Sequence, residues 1–221
     1  MKLRVYPAVR CFHKISDFLT ILSVSGKRFE EEFSKWSGGK RILYTYRART
    51  GLFHLLSYLK EKFNVKRIIV PSYTCKEVIH PIKKIGLEIV FVDNDMKILG
   101  IDSSDVNIRK NDVVLWVNYF GLRSKPSKKI IDGDAFIIED NASYFLPPSK
   151  YADFTLYSLG KGKEFSSSEG GIVTINNKEF DDFIDGIKLG EPDFFNNVYR
   201  FFDYLFWRIT TIRILYPLAR K

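Results

Sequence analysis

Short apolar segments alternate with amphipathic ones along most of this 221-residue chain. The apolar runs at 67–71 (RIIVP), 113–118 (VVLWVN) and 171–175 (GIVTI) are typical of buried β-strands. Before the first of these runs, leucines recur at the spacing of one helix face: Leu52, Leu55, Leu56 and Leu59. Short strands separated by helices predict an α/β fold, with a mostly parallel central sheet flanked by helices.

The other predicted elements continue this alternation. Helices are expected over 15–36, over 50–63 with Thr50 as N-cap, and over 76–85. Further strands are expected over 42–46, 88–92, 135–138 and 154–158. Polar residues end three of the strands, at Asn118, Asp140 and Ser158. They are expected to meet at one edge of the sheet, where α/β folds place ligand sites.

Composition and charge narrow the function classes. Apolar residues make up 45% of the chain, which supports a sizeable core. The net charge of +9 favours anionic partners, but it is spread along the chain and no nucleic-acid-binding motif accompanies it. Two cysteines and three isolated histidines predict neither a disulfide framework nor a metal site. With no apolar run long enough to span a membrane and no secretory signal, we expect a cytoplasmic protein.

The segment 157–171, YSLGKGKEFSSSEGG, carries the candidate chemistry. A lysine that forms a Schiff base must lose its proton, and a second cation such as Lys161 beside Lys163 favours that loss. Ser158 and the neighbouring glycines could offer a hydroxyl and N–H groups to a phosphate. Asp140, at the end of an apolar strand, is a carboxylate that could keep the ring nitrogen of a bound pyridine cofactor protonated. The alternative is that both lysines are ordinary loop residues and that Asp140 begins a turn.

This segment resembles the cofactor-lysine segment of the DegT/DnrJ/EryC1/StrS sugar aminotransferases, which belong to the aspartate aminotransferase superfamily of fold type I. Their pattern is roughly S-F-x-x-x-K-x-x-x-x-G-E-G-G. The matching residues here are Ser158, Lys163, Glu169, Gly170 and Gly171, while Ser168 replaces the first glycine. The stretch 70–95, VPSYTCKEVIHPIKKIGLEIVFVDND, resembles another part of the same family. The resemblance covers roughly residues 29–177.

The resemblance implies a cofactor, pyridoxal 5′-phosphate (PLP), and a role for each matched residue. Lys163 would carry the cofactor and move the substrate proton, and Asp140 would pair with the pyridine nitrogen. Ser158 and the helix start at Thr50 and Gly51 would hold the phosphate, with Arg49 close to the usual threonine. Three positions depart from the family: Cys75 replaces an aromatic residue on the ring, Ser143 replaces a Gln or His, and Asn118 replaces a frequent His.

The resemblance also implies an organisation and an activity. We expect an N-terminal helical segment (1–28), a PLP-transferase-like large domain (29–190) and an aromatic, basic C-terminal helix (191–221). The usual C-terminal small domain is expected to be absent. The implied activity is amino transfer from an amino acid to a nucleotide-linked keto-sugar in polysaccharide biosynthesis, by a homodimer. The alternative is a non-catalytic shortened relative that serves as a binding or assembly module.

The C-terminal segment has an apolar face formed by Phe202, Leu205, Phe206, Ile209 and Ile212. Contiguous exposed apolar faces are rare in monomers, so this face is expected to pack on protein, within the chain or across a dimer. The arginines around it leave peripheral contact with an anionic membrane as the alternative.

Overall fold

The computed structural model describes residues 26–95 (backbone alone for 26–30), 97, 100–104, 106–160, 163–164, 169–187, and 199, 202 and 206. The strands are β1 (Arg41–Thr45), β2 (Arg67–Pro71), β3 (Glu88–Val92), β4 (Asn94–Asp95), β5 (Gly100–Ile101), β6 (Val113–Val117), β7 (Phe136–Asp140), β8 (Phe154–Ser158) and β9 (Gly171–Ile175). The helices are α1 (Gly26–Trp36), α2 (Ala48–Phe63), α3 (Lys76–Ile85), α4 (Lys128–Ile131) and α5 (Asp182–Asp185), with a 3₁₀ turn at Lys178–Phe180.

Seven of these strands form one sheet in the order β1-β9-β8-β7-β6-β2-β3. The strands from β8 to β3 in that order run parallel to one another. β9 is antiparallel to both of its neighbours, β8 and β1. The mostly parallel α/β sheet predicted from the sequence is therefore confirmed.

The two faces of the sheet pack against different elements. On one face the leucines of α2 pack on Leu115, Ile138 and other strand residues, and α3 adds Val78 and Ile82. The opposite face packs Trp116 and Ile137 with Ile130 of α4. Side chains alternate between the two faces along a strand. Asp140 and Ser158 therefore lie on the face of the sheet that packs against α2, whereas Glu139 and Asn118 lie on the face that packs against α4.

The structure corrects the predicted start of α2. The helix begins at Ala48 with Arg47 as its extended N-cap residue, so Thr50 is not the cap. The N–H groups of Thr50 and Gly51 both donate to the Arg47 carbonyl, at 2.9 and 3.2 Å. These two N–H groups already have a hydrogen-bond acceptor. An anion at this terminus would therefore contact the N–H groups of the residues before Thr50.

Other element bounds agree with the sequence to within a residue or two. β2, β3, β8, β9 and α3 have the predicted bounds, and Gly86 ends α3 in a left-handed conformation with φ 73°. β7 runs on to Asp140 where the sequence predicted an end at 138, because both of its acidic residues are buried. Residues 15–25 of the first predicted helix lie outside the described ranges.

Of the predicted C-terminal helix (191–221), the structure describes three residues. Tyr199, Phe202 and Phe206 are helical and exposed, and the rest of the segment lies outside the described ranges. Among the residues that the structure does describe, no helix combines the length and apolarity that crossing a bilayer needs.

Candidate active site at the carboxyl edge of the sheet

Asp140 is the centre of this edge. It ends β7, its side chain is buried, and its Oδ1 accepts a 2.8 Å hydrogen bond from the Ala142 N–H. Burial raises the pKa of Asp140, while the hydrogen bond from Ala142 and the positive charge of Lys163 act in the opposite direction. Lys163 and Asp140 therefore lie within electrostatic reach of each other.

Ser158 ends the neighbouring strand β8 and starts the turn toward Lys163. Its backbone pairs with Gly171 of β9, and its Oγ lies 3.4 Å from the Gly160 nitrogen. The Lys163 N–H then donates to the Gly160 carbonyl at 3.1 Å. Asp140 and Ser158 thus stand on adjacent strands, on the same face, with Lys163 in the segment that follows.

The N-terminus of α2 closes the third side of this site. A Cβ added to Gly171 would lie 2.6 Å from the Ala48 Cα and closer still to the backbone atoms before it. Only glycine therefore allows β9 to approach the helix start this closely. Gly51 has the same function one turn later, since a Cβ there would lie 2.7 Å from Val173 Cγ2. Gly51 serves the packing of α2 on the sheet, and Thr50 stands beside it in the first turn.

Three predicted cofactor residues have other surroundings. Cys75 is exposed and is the N-cap residue of α3, where its side chain makes no cap hydrogen bond. Ser143 is exposed in the bend after β7. The guanidinium of Arg49 forms an ion pair with Glu77 of α3. Within the described part of the chain, no recorded contact joins any of the three to Asp140 or Lys163.

Tyr119 is a residue of this edge that the sequence analysis did not single out. Its side chain is buried on the α2 face, and burial raises its pKa, with a further contribution from the nearby Asp140. Its hydroxyl donates to the Tyr73 carbonyl at 2.5 Å and accepts from Asn94 Nδ2 at 3.1 Å. Tyr119 thus connects Asp140 to the loop that carries Tyr73, whose ring lies 5.5 Å from its own.

Glu139 is the second residue that the sequence did not reveal. It is completely buried on the opposite face from Asp140, and burial raises its pKa. Its carboxylate accepts hydrogen bonds from Asn118 Nδ2 at 2.8 Å, the Ser149 N–H at 2.9 Å and Thr155 Oγ1 at 3.1 Å. Arg123 Nε lies 3.5 Å away. The buried carboxylate therefore links β6, β7, β8 and the loop at 149 directly beneath the site.

No group of three or more His, Cys, Asp or Glu side chains able to hold a metal ion occurs in the described ranges. The chemistry available at this edge is thus that of a lysine, a buried carboxylate, a serine hydroxyl and a helix N-terminus.

Comparison with known proteins identifies related sequences. A GDP-4-keto-6-deoxy-D-mannose 3-dehydratase of Yersinia pseudotuberculosis is 26% identical over 172 residues, which are 70% of this chain and 44% of that protein. The corresponding enzyme of Escherichia coli O55:H7 is 29% identical over 126 residues, 52% of this chain and 32% of that protein. This chain therefore spans less than half the length of these curated relatives.

Solved structures share the fold. The E. coli GDP-4-keto-6-deoxy-D-mannose-3-dehydratase with bound hydrated PLP has a TM-score of 0.67 at 21% identity, covering 83% of this chain and 54% of that one. The sugar aminotransferase CalS13 from Micromonospora echinospora has a TM-score of 0.63 at 19% identity, covering 82% and 56%. At these identities the likeness establishes the fold alone. The family model matches residues 16–189, and the chain belongs to the DegT/DnrJ/EryC1/StrS aminotransferase family.

Proposed function

We propose that this chain binds PLP and takes part in amino-group transfer from an amino acid, such as glutamate, to a nucleotide-linked keto-sugar. The observation that carries the proposal is the juxtaposition of Lys163 with the buried carboxylate of Asp140 at the carboxyl edge of the sheet. Membership of an aminotransferase family and relatives named for a GDP-linked keto-sugar support it. The net charge of +9 suits a substrate that carries a diphosphate.

The residues present fit this cofactor. Asp140 is a buried carboxylate that accepts one hydrogen bond from described residues, so it can take a second from a protonated ring nitrogen. Ser158 and the N-terminus of α2, which meets Gly171 across a gap too narrow for a Cβ, flank a place suited to the phosphate. Lys163 supplies an amine within electrostatic reach of Asp140.

When bound, PLP supplies an electron sink for the carbanion formed at the substrate α-carbon. Lys163 would hold the cofactor, and its free amine would move the proton between the substrate α-carbon and C4′. Asp140 would hold the proton on the pyridine nitrogen, and its burial keeps water away from that contact. The hydroxyl of Ser158 and the dipole of α2 would orient the phosphate.

A second candidate function is a non-catalytic binding or assembly module. The observation that favours it is the engagement of the first turn of α2, where Arg47 pairs with Glu169 and Arg49 pairs with Glu77. The exposed position of Cys75, at the place of the family's ring-facing aromatic residue, favours it further. Absence of bound PLP in a protein that still folds would support this second function.

Borohydride reduction followed by peptide mapping distinguishes the two functions. The full chain incubated with PLP and reduced should carry the pyridoxyl group on Lys163. Lys163→Arg should abolish both the label and the visible absorbance of the lysine-bound cofactor. Lys161→Arg, a neighbouring change of the same type, should retain both. A label on Lys161, or none at all, contradicts the proposal.

The proposal extends to a cytoplasmic homodimer in which the apolar face of segment 191–221 packs on protein. Truncation after Pro192 should then reduce solubility or dissociate the dimer, as sedimentation would detect. If only the full chain floats with anionic liposomes while the truncated chain keeps its mass in solution, the alternative of peripheral membrane contact is correct.

A further inference from the structure

The N-cap of α2 is an unusual place for an arginine. N-cap positions favour Ser, Thr, Asp and Asn, whose side chains accept from the first-turn N–H groups. Arg47 makes no such cap hydrogen bond, and its positive charge stands at the positive end of the helix dipole. A cation at this position needs a carboxylate beside it, and the structure places one there.

That carboxylate is Glu169, from the Glu-Gly-Gly end of the lysine-bearing segment. The Arg47 guanidinium forms an ion pair with Glu169, which raises the arginine pKa. The next residue, Gly170, forms a parallel β-bridge with Arg47 itself. Gly171 then packs against the peptide that joins Arg47 to Ala48. Three consecutive residues are thus fastened to one helix start.

The same residues close the base of the segment that carries Lys163. The Leu159 N–H donates to the Gly170 carbonyl at 2.9 Å, so the segment leaves and rejoins the sheet at one point. Glu169 lies just inside this closure, on the Lys163 side. The ion pair therefore connects the helix terminus to both ends of the segment, at the strand edge occupied by Asp140 and Ser158.

We propose that Arg47 and Glu169 are positioning residues, a latch that fixes the Lys163 segment to the N-terminus of α2. The latch keeps the lysine and the phosphate-binding terminus in register. Arg47 also offsets the negative charge of Glu169, so the pair adds no net charge where an anion would bind at that terminus. The second part of this proposal rests on the function proposed above, whereas the first part concerns the ligand-free chain.

Arg49 offers a matched control for the latch. It lies in the same turn and also forms an ion pair, but its partner, Glu77, belongs to α3. The Arg49 and Arg47 side chains are exposed to nearly the same extent, 38% and 41%. Arg49→Gln therefore removes the same charge from the same terminus while leaving the Leu159–Gly170 closure untouched.

The first experiment needs no ligand. Amide hydrogen exchange at Leu159 reports the closure directly, because its N–H is hydrogen-bonded across the base of the segment. In Arg47→Gln and in Glu169→Gln, exchange at Leu159 should accelerate at least about tenfold, the effect of losing roughly 1.4 kcal/mol of local closure. In Arg49→Gln it should match the wild type. The charge-swapped pair Arg47→Glu with Glu169→Arg should restore protection.

The second experiment compares PLP with pyridoxal, which lacks the phosphate. Arg47→Gln leaves the pair with a net charge of −1, so it should weaken PLP binding about tenfold and pyridoxal binding much less, because the added repulsion requires an anionic ligand. Adding Glu169→Gln to Arg47→Gln returns this net charge to zero and should recover the phosphate-dependent part of the loss, whereas the smaller loss shared with pyridoxal, which the broken latch causes, should remain. A general loss of structure would weaken both ligands alike and would show no such recovery.

The outcomes separate the two proposals. Unchanged exchange at Leu159 in Arg47→Gln, or equal acceleration in Arg49→Gln, overturns the latch. Equal weakening of PLP and pyridoxal overturns its electrostatic part. If the wild type binds neither compound, the proposed cofactor function fails, and the exchange result still decides whether the latch exists.

Discussion

Replacing Gly171 with alanine tests the contact on which the site geometry depends. Gly171 is the first residue of β9, paired with Thr45 on one side and Ser158 on the other. The new Cβ would stand 2.6 Å from the Ala48 Cα, roughly 1 Å inside ordinary carbon–carbon contact. The obstructing atoms belong to the backbone, so no side-chain rotation relieves the overlap. β9 and α2 must therefore move apart.

The expected cost follows from the size of that displacement. Overpacking of a well-packed interior usually costs about 1–3 kcal/mol, and a clash with backbone belongs at the upper end. Alanine also restricts the unfolded chain, which stabilises by only about 0.4–1 kcal/mol. We therefore expect the free energy of unfolding to fall by about 2–3 kcal/mol. Domains of this kind have about 5–15 kcal/mol, so the variant should still fold.

Urea denaturation followed by circular dichroism measures this loss as a lower midpoint with an unchanged slope. Gly160→Ala is the matched control, because its Cβ would meet the Ser158 hydroxyl at an ordinary 3.5 Å. The control should unfold within about 0.5 kcal/mol of the wild type. If Gly171→Ala unfolds at the wild-type urea concentration, the close approach of β9 to α2 is wrong.

Two further predictions concern the adjacent carboxylates of β7. Asp140→Asn should retain PLP but lose most amino transfer, since the amide cannot hold the ring-nitrogen proton; unchanged turnover would remove Asp140 from the mechanism. Burial raises the pKa of Glu139 in the folded protein above its value in the unfolded chain. Its contribution to stability is therefore complete below the unfolded-state pKa, and it is lost as pH rises through the folded-state pKa. The stability advantage of the wild type over Glu139→Gln should therefore shrink as pH rises from about 4.3, and a difference that stays constant with pH would contradict this account.

The sequence predicted the strands whose apolar runs are bounded by polar or turn residues. β2 and β9 are buried at every position, so an uninterrupted apolar run marks them from end to end. Asp140 was singled out because it follows such a run, and Lys163 because of its spacing from Ser158 and from the Glu-Gly-Gly turn. That Asp140 and Ser158 lie at one edge follows from the rule that parallel strands end at a common edge.

The features that the sequence missed depend on partners distant along the chain. The α2 start was predicted at Thr50 because threonine is a favoured N-cap residue. The observed N-cap, Arg47, has its ion-pair partner, Glu169, 122 residues away. β7 was predicted too short because Glu139 is an unlikely strand-core residue. Donors from three other parts of the fold make its burial acceptable. Neither set of contacts can be predicted from a short stretch of sequence around the residue.

The position of β9 in the sheet has a consequence for how the chain folds. Among the described strands, β9 is the last in sequence, yet it is inserted between β8 and β1, the first of them. Until β9 forms, β1 lacks a partner among these strands, and the two edges that β9 will join stay open. Closing pairs as remote as Arg41 and Ile175 is entropically costly, so this step should be slow and late.

A chain in which β9 has not yet formed therefore exposes two strand edges to edge-to-edge association, and the supply of chaperones during expression should affect the yield of folded protein more than its activity.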